Sequence, residues 1–257
     1  MFDFDKTIFI DEENNRVIKK YSCREDFERF KFYYSTNNAF ADLFPRVYDI
    51  GEDHIVMDLI RTKAYYPTPT EQIEIMVDLV VRLKMKAPTS DRWLYRDRFE
   101  NVYIGLQKDV KTPLKLKSFF VSEFEKCVKF YREYYGESFL LHGDLHNGNI
   151  LYDDTEKRLR VIDPIVTVAP IEFEFTRGLQ NLTFGTSYDE SELIDEVCAK
   201  AKGLLELDST GLWNALYIDS VLRCMETVRD FPADSEEVRG SFDFVQRLKN
   251  RYGGLKL

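Results

Sequence analysis

The segment His142-Gly143-Asp144-Leu145-His146-Asn147-Gly148-Asn149-Ile150-Leu151, followed closely by Val161-Ile162-Asp163-Pro164, concentrates side chains that handle protons and metals. Asp144, Asn149 and Asp163 supply two carboxylates and one carboxamide. That inventory suits phosphoryl transfer from a magnesium nucleotide. One carboxylate orients and deprotonates an acceptor, while an amide oxygen and a second carboxylate hold the metal against the phosphates. Asp144 and Asn149 share a short glycine-containing loop, which can fold back and aim both side chains at one point. Val161-Ile162 then delivers Asp163 from the end of a neighbouring strand.

The elements that must position these groups are legible as apolar patterning. Strands are expected at Ser138–Leu141, Asn149–Tyr152 and Leu159–Ile162 around the loop. Upstream, Lys6 to Ile10 and Arg16 to Tyr21 read as strands joined by the polar turn Asp11 to Asn15. Phe27, Phe30 and Tyr34 recur on one face of a helix from Arg24 to about Tyr34. Arg46 to Ile50 and His54 to Ile60 read as a hairpin turning through Gly51. Thr62 to Thr70 carries two prolines and few aliphatics, which marks a boundary. Thr68-Pro69-Thr70-Glu71 is a helix start with a Thr cap, Pro first and Glu third. That helix should reach about Lys86 and turn Ile73, Val77, Val80 or Val81, and Leu83 inward. Another, from about Ser118 to Tyr135, should bury Phe120, Phe124, Cys127 or Val128, and Tyr131. Beyond the motif the chain reads as helices at Glu190–Leu205, Thr210–Arg229 and Ser235–Tyr252. Strands come first and helices follow, an α+β order.

The block His-Gly-Asp-x-His-x-x-x-Asn-Ile-Leu with Ile-Asp-Pro after it resembles the aminoglycoside phosphotransferase and fructosamine kinase group of small-molecule kinases. The likeness is tight over about residues 139–176 and loose elsewhere. It implies a bilobal protein kinase-like fold, with an abbreviated strand-rich N-lobe over residues 1–61 and a mainly helical C-lobe over 62–257. It implies Asp144 as catalytic base, and Asn149 and Asp163 as ligands of Mg²⁺ beside bound ATP. His142 is expected to brace the loop, and His146 to touch a phosphate or to pack. Gly143 stands where kinases that are switched by phosphorylation carry Arg, which suits a constitutive enzyme. Glu174 resembles a structural acid that anchors the next helix, and Glu172 is placed to face substrate. Ala169 and Glu174 depart from the fructosamine kinase pattern and leave the subfamily open.

On the nucleotide side, Arg16-Val17-Ile18-Lys19-Lys20-Tyr21 resembles the strand that carries a phosphate-binding lysine, with Lys19 the better match and Lys20 the reserve. The partner carboxylate is expected from the following helix, at Glu28 or else Glu25. Met57-Asp58-Leu59-Ile60 resembles a hinge, where Asp58 and Ile60 would meet the adenine edge through their backbones. One departure is large. No glycine precedes Gly51, so the turn through Asn14-Asn15 is all that can serve as a flap over phosphates.

Composition narrows the alternatives. At 257 residues the chain can bury a sizeable core, and 20 Phe with 15 Tyr make that core aromatic. A formal charge of −9 argues against nucleic acid, whose binding draws on Lys and Arg. No apolar run approaches the length of a membrane span, and Met1-Phe2-Asp3-Phe4-Asp5 lacks the basic start of a signal peptide. Cys23, Cys127, Cys198 and Cys224 form no close pair and read as reduced cytoplasmic thiols.

The leading expectation is thus an ATP-dependent kinase acting on a hydroxyl of a small polar acceptor such as an aminoglycoside, amino sugar or related amine. Asp189, Glu190, Glu192, Asp195, Glu196, Asp219 and Glu226 are acids that a cationic acceptor would suit, although helical charge runs usually face solvent. Trp213 and Tyr217, one turn apart, line either a sugar pocket or the core. The competing expectation is a pseudokinase that binds nucleotide without turnover, motivated by the missing glycine-rich turn. A kinase for protein or lipid-linked sugar ranks below both, because no basic docking patch is visible.

Overall fold

The structure is a computed structural model, and it describes residues 6–36, 42–62, 67–87 and 93–255. Met1 to Asp5, and residues 63–66 of the expected boundary segment, lie outside the described residues. In chain order the elements are β1 (Lys6–Asp11), β2 (Arg16–Tyr21), α1 (Arg24–Thr36), β3 (Val47–Ile50), β4 (His54–Asp58), α2 (Pro69–Leu83), β5 (Met85–Lys86), α3 (Tyr95–Lys108), α4 (Leu114–Tyr134) and β6 (Phe139–Leu141). There follow β7 (Ile150–Asp153), β8 (Arg158–Val161), β9 (Thr167–Ala169), α5 (Thr176–Thr183), α6 (Glu190–Ala201), α7 (Ser209–Asp230) and α8 (Glu236–Tyr252). The chain divides into two compact units, Met1–Leu83 with His142–Val166, and Lys84–Leu141 with Thr167–Leu257. Strands dominate the first and helices the second, the α+β architecture that the sequence order implied.

The first unit is built on an antiparallel sheet in the order β1-β2-β4-β3. The β1–β2 turn is tied by Asp11, whose carboxylate accepts the Asn14 backbone N–H at 3.1 Å and the Asn14 amide at 2.8 Å. Asn15 then takes a left-handed φ of 52°, which asparagine tolerates better than most residues. Alternation along β2 buries Lys19 and Tyr21 and leaves Lys20 outside. Tyr21, Ile55 and Met57 pack on Phe27 and Phe30 of α1 to form a small aromatic core. Burial of each such side chain contributes about 1.5–3 kcal/mol, which is what holds α1 against the sheet.

The expected capping of α2 is present. Glu71 accepts from the Thr68 backbone at 2.7 Å and its hydroxyl at 2.8 Å, while the Glu71 N–H donates to Thr68 Oγ1 at 3.3 Å. Ile73, Met76, Val77, Leu79, Val80 and Leu83 are its buried residues, so Val80 rather than Val81 completes the stripe. The helix stops at Leu83, because Met85–Lys86 pair with Phe139–Leu140 as strands.

The second unit gathers its helices around α7, which packs against α3, α5, α6 and α8. Its buried residues include both Trp213 and Tyr217. The Trp213 indole N–H donates to the Gly254 carbonyl at 2.8 Å, and the Tyr217 hydroxyl donates to Glu123 at 2.5 Å. Both aromatics are core. In α4 the buried residues are Phe120, Glu123, Cys127 and Phe130, so the inward face is rotated slightly from the expected one. All four cysteines are free thiols, with Cys127 and Cys224 buried and Cys23 exposed. Among the described residues, no helix is long and apolar enough to cross a membrane.

Candidate active site

The β7–β8 hairpin fixes the motif. Ile150 pairs with Val161 and Asp153 with Arg158, and the Ile162 N–H extends the ladder by donating to the Asn149 carbonyl at 3.0 Å. Asn149 therefore stands opposite Ile162, one residue from Asp163. A single 3-10 turn over Asn147–Asn149, closed by Asn149 N–H to the His146 carbonyl at 2.8 Å, folds the loop back towards Asp144. Gly143 makes the sharp entry possible at a φ of 77°, a conformation that costs an L-residue about 1–2 kcal/mol. Asp163 itself has a left-handed φ of 57°. Strain of that kind persists where the surroundings over-determine it.

The Asn149 amide donates to the Asp144 backbone carbonyl at 2.9 Å and to Asp144 Oδ2 at 3.0 Å. With its N–H groups spent there, Asn149 keeps its amide oxygen for another partner. His146 accepts the Gly148 N–H on Nδ1 at 3.1 Å, so Nε2 carries the ring proton, and that nitrogen lies 3.6 Å from Asp144 Oδ2. Lys19 on β2 is 5% exposed, and its ammonium forms an ion pair with Asp163 Oδ1. The first unit thus carries two pairings, Asp144 with Asn149 and His146, and Lys19 with Asp163, and the His142 ring spans them by bonding the Asp144 N–H and the Ile162 carbonyl.

His142 bonds to the backbone on both sides of these pairings. It is fully buried; Nε2–H donates to the Ile162 carbonyl at 2.9 Å, and Nδ1 accepts the Asp144 N–H at 3.3 Å. Its own carbonyl receives the N–H groups of Ile165 and Val166 at 2.9 and 3.0 Å. Burial lowers its pKa to about 4, against the opposing pull of the Asp144 carboxylate and the Ile162 carbonyl. The ring is therefore neutral at physiological pH, which this tautomer requires. Tyr33 on α1 meets the His142 ring edge-on at 6.1 Å. The sequence reading missed Tyr33, although it follows Phe30 by three on the inward stripe.

Other anticipated residues are placed differently. Lys20 is exposed and pairs with Asp53 at 3.1 Å. Glu28 is exposed on α1 and has no ion pair among the described residues; Lys19 finds Asp163 instead. The helix turns Phe27, Phe30 and Tyr33 inward, and Glu28 falls between those positions on the solvent side. Glu25 pairs with Arg29 at 2.5 Å. Met57 is core. Asp58 donates its N–H to the Arg46 carbonyl at 3.0 Å, and its carboxylate accepts the Tyr48 hydroxyl at 2.6 Å. The Leu59 N–H goes to the Asn15 carbonyl at 3.0 Å. Of the hinge donors from Asp58 to Ile60, only that of Ile60 has no backbone partner among the described residues.

Glu172 lies in the second unit, in the 3-10 turn Ile171–Glu174, where burial and then Asp208 push its carboxyl upward. Asp219 and Glu226, named as acids for a cationic acceptor, are buried instead in an internal network. Asp219 accepts from Tyr95 at 2.9 Å, Thr176 at 3.1 Å and Gln180 at 3.1 Å, and Glu226 is gripped by Arg98 at 3.1 and 3.3 Å. Asp189 caps α6, accepting the Ser191 N–H at 2.8 Å, and Glu190 pairs with Arg247 at 2.6 Å.

No protein-family model and no curated protein matches the chain. Solved structures do. Choline kinase LicA from Streptococcus pneumoniae superposes with a TM-score of 0.71 at 10% identity, covering 96% of this chain and 90% of that one. An ethanolamine kinase from Plasmodium vivax gives a TM-score of 0.66 at 11% identity, with 95% and 82% covered. The GDP and kanamycin complex of APH(2")-IIia gives 0.65 at 12% identity, with 96% and 90% covered. The chain has the protein kinase-like fold shared by aminoglycoside phosphotransferases and choline and ethanolamine kinases.

Proposed function

We propose that the chain is a phosphotransferase that moves the terminal phosphoryl group of ATP to a hydroxyl of a small polar acceptor. The observation that carries this reading is the Asn149 amide on Asp144 together with the Lys19–Asp163 ion pair, both within the first unit. Among the described residues there is no group of three or more His, Cys, Asp or Glu suited to caging a metal. The Asn149 amide oxygen and the Asp163 carboxylate suit Mg²⁺ nonetheless, because that ion takes one or two protein oxygens and fills its octahedron with water and phosphate. When bound, the magnesium nucleotide supplies the transferable group and neutralises the charge that builds on it.

The chain's own residues do the rest. Asp144 orients the acceptor hydroxyl and receives its proton, with the Asn149 amide and the His146 ring fixing Oδ2. Lys19 offers a buried ammonium to phosphate oxygens, and its present pairing with Asp163 keeps that charge compensated inside the unit. The acceptor proposed is a cationic amine or amino sugar. The formal charge of −9 and the kanamycin and choline or ethanolamine named for the similar structures support that choice.

A second reading, nucleotide binding without turnover, is favoured by two observations. The β1–β2 turn contains no glycine, and the backbone donors of Asp58 and Leu59 are already occupied. The test is ATP turnover over choline, ethanolamine, kanamycin and gentamicin, comparing the wild type with Asp144→Ala and Asp144→Asn. Loss of the base should reduce kcat by about 10²–10⁴-fold. Equal, non-zero rates in all three proteins would reject Asp144 as the base. Stabilisation by Mg-ATP without any turnover would establish the second reading.

A further inference from the structure

The turn that joins α3 to α4 carries a charge pattern that phosphoryl transfer does not use. Between Glu100 and Glu123 the chain holds four lysines, Lys108, Lys111, Lys115 and Lys117, against a single acid, Asp109. In a chain with 45 acids and a net charge of −9, that is a local reversal of sign. The one acid is spent on the turn itself. Its carboxylate accepts the Lys111 N–H at 3.0 Å and the Thr112 hydroxyl at 2.7 Å. The Lys117 ammonium donates to the Gln107 carbonyl at 2.9 Å, so the two ends of the segment close on one another. Other residues separate these lysines, so they form no run in the sequence, and it is the turn that gathers them.

Two aliphatic side chains stand at the same place. Val110 is 93% exposed and Leu114 81%, the two highest values for large hydrophobic side chains among the described residues. Single exposed aliphatics are ordinary on a protein surface, but two on one turn beside the exposed Lys108, Lys111 and Lys115 are not. None of those three ammonium groups forms an ion pair among the described residues. Side chains so exposed stand clear of their own surface and offer knobs without a groove. A protein partner would have to supply a pocket for each, whereas the edge of a bilayer accepts any such knob. The hydrogen bonds within the turn hold its shape beforehand, which lowers the entropic cost of docking.

We propose that the α3–α4 turn docks the protein on an anionic lipid surface. Val110 and Leu114 would enter the boundary between headgroups and acyl chains, and Lys108, Lys111 and Lys115 would meet the lipid phosphates. Glu100 and Glu123 lie about two turns of helix back along α3 and α4, which confines the contact to the tip. Two aliphatics and a few lysines make an attachment that is reversible and weakened by salt. It is independent of phosphoryl transfer.

The experiment is cosedimentation of the full chain with vesicles of phosphatidylcholine mixed with phosphatidylserine, and with vesicles of phosphatidylcholine alone. The mixed vesicles should bind at least about tenfold more tightly, and added salt should weaken them. Lys111→Glu with Lys115→Glu should lose at least about twentyfold, since each lysine at an anionic surface contributes about fivefold. Val110→Ser with Leu114→Ser should lose at least about tenfold, the effect of withdrawing apolar side chains from the bilayer edge. Both variants should unfold at the wild-type midpoint, because the four side chains are exposed. Val110→Trp sets a reporter on the turn, and its emission should move to the blue on mixed vesicles relative to wild type. No binding, equal binding to the neutral vesicles, or an emission that does not move would each overturn the assignment. Loss in the glutamate variant with none in the serine variant would also overturn it, and would indicate an acidic protein surface as the partner.

Discussion

Asn149 donates to both the backbone carbonyl and the carboxylate of Asp144, at 2.9 and 3.0 Å, so one buried amide fixes the position and the orientation of the proposed base. Asn149→Ala should lower kcat about 10–100-fold, the usual effect of losing a supporting partner. It should also cost about 1–3 kcal/mol of stability, because the Asp144 acceptors lose a buried donor. Asn149→Asp is the sharper probe. It sets a second carboxylate against the first, which raises the pKa of the pair and moves the acid limb of the kcat profile upward. An unmoved limb with full activity would show that the amide does not control Asp144.

His142 links folding to pH. Its pKa falls from 6.5 to about 4 on burial. The folded protein therefore holds the neutral ring, while the unfolded chain takes up a proton once the pH drops below about 6.5. This stabilising contribution is complete above that value, declines as the pH falls, and is gone below about 4, with a total swing of about 3 kcal/mol. Urea denaturation of wild type and His142→Asn between pH 7.5 and 4.5 checks it. The wild type should lose stability more steeply across that window, and parallel curves would contradict the buried neutral ring.

The legible parts of this site were the local ones. Asp144 and Asn149 meet through one short turn, and a hairpin puts Asn149 opposite Ile162, so spacing and apolar patterning were enough to expect those local relations. The partner of Lys19 was not legible. A helix position near the lysine suggested Glu28, but the rotation of α1 is decided by Phe27, Phe30 and Tyr33, and that rotation puts Glu28 in solvent. Two helices escaped detection for physical reasons. α3 follows Leu94, which makes no side-chain cap, and carries Gly105 inside; α5 is eight residues long with Gly178 inside. Missing α3 also hid the fate of the α7 acids, since Tyr95 and Arg98, their partners, lie on it.

Gly148 and His146 form a coupled pair. A Cβ at Gly148 would come 2.8 Å from the His146 ring, and the ring is held by the Gly148 N–H itself. Gly148→Ala should cost about 1–3 kcal/mol by overpacking and should displace the ring from Asp144. In a His146→Ala background the same substitution should be nearly neutral, giving a coupling energy of roughly 0.5–3 kcal/mol in a double-mutant cycle. Additive free energies would mean that the ring can move aside without cost.

The Arg98–Glu226 pair tests whether the buried acids of α7 serve structure rather than an acceptor. The two side chains are 13% and 4% exposed and meet through two hydrogen bonds, while burial first, and then Asp219, push the Glu226 carboxyl upward against Arg98 and Arg223. Taking two charges out of water is costly, so their mutual attraction offsets a penalty rather than adding free stability. Removing either partner leaves the other's charge under-compensated, with Arg223 at 3.7 Å the remaining cation beside Glu226. Glu226→Leu or Arg98→Met alone should each destabilise by about 3–5 kcal/mol, and the double substitution should recover most of that loss. Neither change should alter KM for any amine acceptor that the wild type turns over, since both groups are committed to each other. Chemical denaturation supplies the first comparison and steady-state kinetics the second. A KM that rises with Glu226→Leu and stays high in the double variant would place Glu226 at the acceptor after all.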